Sequence, residues 1–161
     1  DRRSFDRKVQ DMKIFFDTCA IVDFICNREN AAYIDRILND SEKRGWERYI
    51  SVGSFYTLTY LIEIHLKRNG YEEKETRIEK LREILSSILQ YFNIAELTSN
   101  KLSASVKDHA FSDLEDSYQY RAAITAKCDF LITDNINDFK NADMTKIRIV
   151  SPKDFITPTD Q

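Results

Sequence analysis

Apolar residues in this chain come in short blocks separated by longer stretches of helical periodicity. "MKIFF" (12–16) is an apolar run bounded by polar residues, which predicts a buried strand. Asp17-Thr18 follows and opens a helix to about Asn27, and a second helix is expected over 30–44. "ERYIS" (47–51) predicts the next strand, and 54–68 a helix that stops near Gly70. The longest expected helix covers 72–92. Its apolar positions Ile78, Leu81, Leu85, Ile88 and Phe92 step by three or four, and its first turn, "YEEKE", is acidic, as the helix dipole favours. "NIAEL" (93–97) reads as a short strand, 99–107 and 114–127 as helices, "DFLIT" (129–133) and "IRIV" (147–150) as strands, and 151–155 as a last helical turn. Near-continuous apolar strands alternating with helices predict an α/β fold, a parallel sheet of four to five strands covered on both sides. Residues 12–156 read as one domain, 1–11 as an N-terminal extension and 157–161 as a tail.

Composition narrows the classes. A chain of 161 residues, 42% hydrophobic and 32% charged, can bury a sizeable core and is not of disordered type. No apolar run reaches the roughly 18 residues of a membrane helix, and no charged-then-apolar leader is visible. Three cysteines make no disulfide framework. Cys19, Cys26 and Cys128 read as reduced, small core hydrophobes, which suits a cytoplasmic protein. Two histidines supply no zinc spacing, and three glycines no phosphate cradle. A net charge of −3 argues against a broad basic face for nucleic acid, though not against a local phosphate contact.

Candidate chemistry enters at the strand ends, because open α/β sheets bind ligands beyond the carboxyl ends of their strands. Asp17-Thr18 follows one strand and Thr133-Asp134-Asn135 another. Asp17 alone has a plain alternative: a helix cap contributes about 1 kcal/mol without further function. Asp113 and Asp116 are three apart, so both can lie on one face of their helix. Tyr118, Ala122 and Ala123 suggest close packing on the sheet, which carries that acidic turn towards the strand ends; ordinary N-terminal helix charge is the alternative. Two carboxylates ~4 Å apart repel by ~4 kcal/mol at an effective dielectric of 20, and a divalent cation removes that cost. Oxygen donors suit Mg²⁺ or Mn²⁺, which can activate water against a phosphodiester.

The segments "KIFFDTCAIVDF", "ISVGSFYTLTYLI", "DLEDSYQYRAAITAKCDFLITDNINDF" and "IRIVSPKDFI" together resemble a PIN domain, in particular the VapC-like toxins of bacterial toxin–antitoxin pairs. The resemblance runs from Met12 to about Ile156. It implies a PIN-like three-layer α/β/α sandwich, Mg²⁺- or Mn²⁺-dependent ribonuclease activity, a homodimer and a small antitoxin partner. It also implies site roles: Asp17 and Asp116 as metal carboxylates, Asn135 and Asp113 completing the catalytic set, and Asp134 as a further metal ligand. Thr18, Thr57 and Thr133 have secondary places, Thr18 as helix cap. One position departs from the family pattern. Thr57 stands where the resemblance expects a Glu, and Glu63, six residues on, lies about 120° round the helix.

Two functions follow as expectations. The first is a ribonuclease of the toxin type. The second is a binding module with a degenerate metal site, which the Thr57 departure favours. Phosphatase chemistry ranks below both, since "DTC" lacks the second Asp two residues on. Arg121 and Lys127 are candidates for holding RNA. Phe55, Tyr56 and Tyr60 are expected mostly in the core, with base stacking as the alternative. Asp23 is expected outside the site.

Overall fold

The computed structural model describes residues 11–156. The expected tail and residues 1–10 of the extension lie outside the described residues. Five strands are seen: β1 (Lys13–Phe16), β2 (Glu47–Ser51), β3 (Asn93–Ala95), β4 (Phe130–Ile132) and β5 (Arg148–Val150). The helices are α1 (Thr18–Ile25), α2 (Ala31–Arg44), α3 (Val52–Arg68), α4 (Lys74–Tyr91), α5 (Ser99–Val106), α6 (Leu114–Thr125) and α7 (Pro152–Ile156). A 3-10 turn, Ile136–Phe139, lies between β4 and β5 and has no counterpart in the sequence reading.

The strands pair in the order β3-β2-β1-β4-β5, and every pairing is parallel. Parallel neighbours need crossover connections; the intervening helices supply them, except between β4 and β5, where a loop with the 3-10 turn does. Side chains alternate across the sheet. Ile14, Phe16 and Ile132 face a core shared with α1 to α4, while Phe15, Leu131 and Ile149 face a second core with α6 and Phe139 of the 3-10 turn. The molecule is therefore the α/β/α sandwich that the sequence implies. Phe15 and Phe16, adjacent in β1 and fully buried, fill opposite faces, each stabilising by ~1.5–3 kcal/mol.

Four helices stop by the same device. The N–H two or three residues past the end donates back across the last turn: Arg28 to Asp23, Trp46 to Ser41, Tyr71 to Leu66 and Cys128 to Ala123, at 2.8–3.1 Å. Each bond requires a left-handed residue just before the donor. Gly45 and Gly70 provide two of these, while Asn27 and Lys127 adopt the conformation with side chains, at φ 50° and 58°.

Candidate metal centre

The strand order sets the position of the site. From β1 the chain proceeds to β2 and β3 on one side, and it returns to β4 and β5 on the other. A crevice is left where the two directions part, at the carboxyl ends of β1 and β4. Asp17 directly follows β1, and its N–H donates to the carbonyl of Ile132, the last residue of β4, at 2.9 Å. Thr133 follows β4 and is tied to Val150 of β5 in the same way, at 3.0 Å.

Asp17 is buried, with 5% of its surface exposed. Its Oδ1 accepts from the Thr18 N–H at 2.8 Å, so Asp17 itself caps α1. This corrects the expectation that Thr18 is the cap: Thr18 is the first helical residue. Its hydroxyl instead meets that of Ser54 at 2.5 Å. Asp17 Oδ2 accepts from the Thr133 hydroxyl at 2.8 Å and from the Cys19 thiol at 3.5 Å. The Thr133 oxygen in turn accepts the Asn135 N–H at 3.1 Å, which fixes the turn after β4. Burial raises the Asp17 carboxyl above its ordinary range, against the lowering effect of the Thr133 hydrogen bond.

Asp116, on the first turn of α6, is 7% exposed, and its Oδ2 has no hydrogen-bond partner. Burial, then the charges of Asp17, Asp113, Asp138 and Glu115, push its carboxyl up to about 7. A buried, unpartnered carboxylate oxygen costs about 1–3 kcal/mol or more, since a charged group loses more hydration than a neutral one. A cation beside it would remove that cost.

The other expected residues fall around this pair. Asp113 is exposed and caps α6, accepting from the Glu115 N–H at 2.9 Å. Asn135 is exposed at the rim, its amide 3.9 Å from the Cys19 sulfur. The Asp134 carboxylate turns towards α1 and α2, where it accepts from Asn30 Nδ2 at 2.9 Å. Burial and its hydrogen bond with Asp23 push it up to about 7. Asp23, expected outside the site, thus belongs to its flank. Thr57 is exposed and lines a neighbouring cavity with Glu115 and Gln119.

Sequence reasoning passed over several residues at the centre. Glu115 follows the Asp113 cap; burial and the charges of Asp17 and Asp113 raise its carboxyl. Cys19 is half-buried against Asp17 rather than in the core, and burial together with that charge pushes its thiol up to about 12. It stays protonated and donates. Gln119 is buried one turn after Asp116, with Nε2 at 3.0 Å from Ser51 Oγ, 3.1 Å from Ser54 Oγ and 3.4 Å from Thr18 Oγ1. Thus the turn bearing Asp116 is tied to the starts of α1 and α3. The signal was present in the sequence: Gln119 is the one side-chain amide in α6, on the buried face that also carries Asp116, Tyr120 and Ala123. Arg121 and Lys127 are not at the centre. Arg121 bonds Ser105 and Asp108, bracing α5 against α6, and Lys127 lies past the far end of α6.

Among the described residues, no three His, Cys, Asp or Glu side chains are arranged to enclose an ion. The donors present are two buried carboxylates with neutral oxygens nearby. They fit a cation that keeps several waters and takes one or two carboxylates, the habit of Mg²⁺, better than an all-protein cage.

Comparison with known proteins agrees with this architecture. The sequence matches the PIN domain family model over residues 13–137, more than half of the chain, and the protein belongs to that family. No curated protein sequence matches. Among solved structures, the chain is similar to one in the crystal structure of VapBC2 from Rickettsia felis bound to a DNA fragment from their promoter. The TM-score is 0.58 and the identity 17%, covering 86% of this chain and 97% of that one. At that identity the likeness concerns the fold. No described helix is long and apolar enough to cross a membrane.

Proposed function

We propose that the protein is a metal-dependent endoribonuclease and the toxin of a toxin–antitoxin pair, acting as a homodimer restrained by a small antitoxin. The observation that carries the reading is the orphaned Asp116 oxygen beside Asp17, in a family of acidic nucleases and at the sheet's ligand crevice. Asp17 and Asp116 would hold Mg²⁺ or Mn²⁺, with Asn135 and Asp113 contributing at the rim. Asp134 is a less direct ligand, since Asn30 and Asp23 engage its carboxylate. The bound ion supplies charge neutralisation and an acidified water. The chain's own residues do the rest. Thr133 and the Thr18 N–H fix the Asp17 carboxylate, Gln119 fixes the turn bearing Asp116, and the rim orients the RNA phosphodiester for in-line attack. Glu115 lines a cavity together with Thr57 and lies within electrostatic reach of Asp17.

Incubation with a mixed RNA pool tests the reading. Cleavage is expected with Mg²⁺ or Mn²⁺, is lost with chelator, and falls by at least about 100-fold in Asp17→Asn, the scale of a lost charge-stabilising group. The binding-module reading keeps one observation in its favour: no three acidic side chains converge among the described residues. RNA or antitoxin binding by protein that cuts nothing, with melting unmoved by metal, would establish it instead.

A further inference from the structure

Beside the acidic pair lies a cavity of about 280 Å³ between α3, α5 and α6. Leu97, Leu102, Tyr118 and Ala122 make most of its wall apolar, so it suits neither a phosphate nor a cation. Two of its lining residues connect it to the metal centre. Glu115 lies within electrostatic reach of Asp17, and Gln119 bonds Thr18. Its size falls near the lower end of small-molecule sites, ~300 Å³, which suits a single planar ring system. Thr57 forms part of the rim from α3. Tyr60, three residues on, and Tyr56, four before Tyr60, share that helix face. Both tyrosines are 68% exposed, contrary to their expected place in the core, whereas Phe55 is packed inside.

We infer that this cavity is a base subsite. It takes one unpaired, amino-bearing nucleobase of a single-stranded RNA beside the phosphodiester at Asp17 and Asp116, while Tyr56 and Tyr60 stack the bases outside it. The inference rests on the nuclease reading and extends it to the form of the substrate. An apolar slot with an acidic rim recognises a base through its flat face and an exocyclic amino group donating to the Glu115 carboxylate. Sugar and phosphate remain outside, where the metal centre needs them. A duplex keeps its bases stacked and cannot fill the slot, so the substrate is single-stranded or looped. The exposed tyrosines add stacking that tolerates any base.

The test uses short single-stranded RNAs carrying an abasic nucleotide at each position in turn, cut by the wild-type protein, by Leu102→Trp, which fills the slot from its exposed side, and by Tyr60→Ala on the open face. In the wild type, one abasic position next to the cut is expected to lower kcat/KM about 10-fold, the scale of one lost stacked base. Leu102→Trp should lower kcat/KM on intact RNA by a similar factor and lose its sensitivity to that abasic position. Tyr60→Ala should raise KM with kcat held. Wild-type cleavage indifferent to every abasic position, or variants that cut intact RNA as the wild type does, overturns the base subsite and leaves the nuclease reading standing. Variants that change the oligomeric state in light scattering while cutting normally show a protein interface there, and overturn it too. A wild type that cuts no RNA overturns both.

Discussion

At the scale of single residues, the site is a matter of who satisfies whom. Asp17 has three hydrogen-bond donors, while one Asp116 oxygen has none, although both side chains are buried. The pH dependence follows from the raised Asp116 carboxyl. Its folded value, about 7, lies above the ordinary 3.8, so the fold binds its proton more tightly than the unfolded chain does. That contribution to stability is complete below about 3.8 and is lost as pH rises through about 7. Asp116→Asn has no proton to lose. In metal-free buffer its melting temperature is expected to exceed that of the wild type at pH 8 and to approach it near pH 5. Added Mn²⁺ should raise the wild-type melting point at pH 8 and leave the variant unmoved. Equal melting curves at pH 8 without metal would refute the assignment. The sequence made Asp17 and Asp116 legible because carboxylates at a strand end and in a helix's first turn form a recognisable pattern. Cys19, Glu115 and Gln119 were not legible as members. Their roles depend on which way each side chain turns, and neighbours about 100 residues away decide that, as Gln119 and Thr18 illustrate.

At the scale of elements, every expected strand and helix appears, since strong periodicity and buried apolar runs survive folding unchanged. The ends were less legible. Gly70 marks the end of α3 as expected, and Gly45 ends α2. Lys127 gives no such signal, yet it performs the same turn, so α6 stops two residues before the 114–127 boundary read from the sequence. The 3-10 turn was missed because four residues are too few to show a period. A left-handed conformation costs a residue with a side chain roughly 1–2 kcal/mol, while glycine gives back some of that through its looser unfolded chain. Lys127→Gly is therefore expected to stabilise the protein by about 0.5–1 kcal/mol. Chemical denaturation should show a higher midpoint with unchanged slope. A lower midpoint would mean that the lysine side chain makes a compensating contact.

At the scale of the whole molecule, a single sheet with its strand order reversing at β1 creates both the fold's centre and its crevice. That order was not readable from the sequence, because apolar strands carry no mark of their neighbours. It also bears on time. The Asp17–Thr133 hydrogen bond spans 116 residues, and the β1–β4 pairing that supports it joins segments equally remote. Contacts that close long loops form late, after local helices and near pairings have already reduced the entropy of the chain. On refolding from denaturant, the helical circular dichroism signal should therefore return ahead of metal binding, with competence for the ion appearing only in the slowest phase. Simultaneous recovery of the two signals would refute that order. On that order the cleft is the last part of the molecule to form, so a half-folded chain carries the acidic residues without the site that the sheet makes of them.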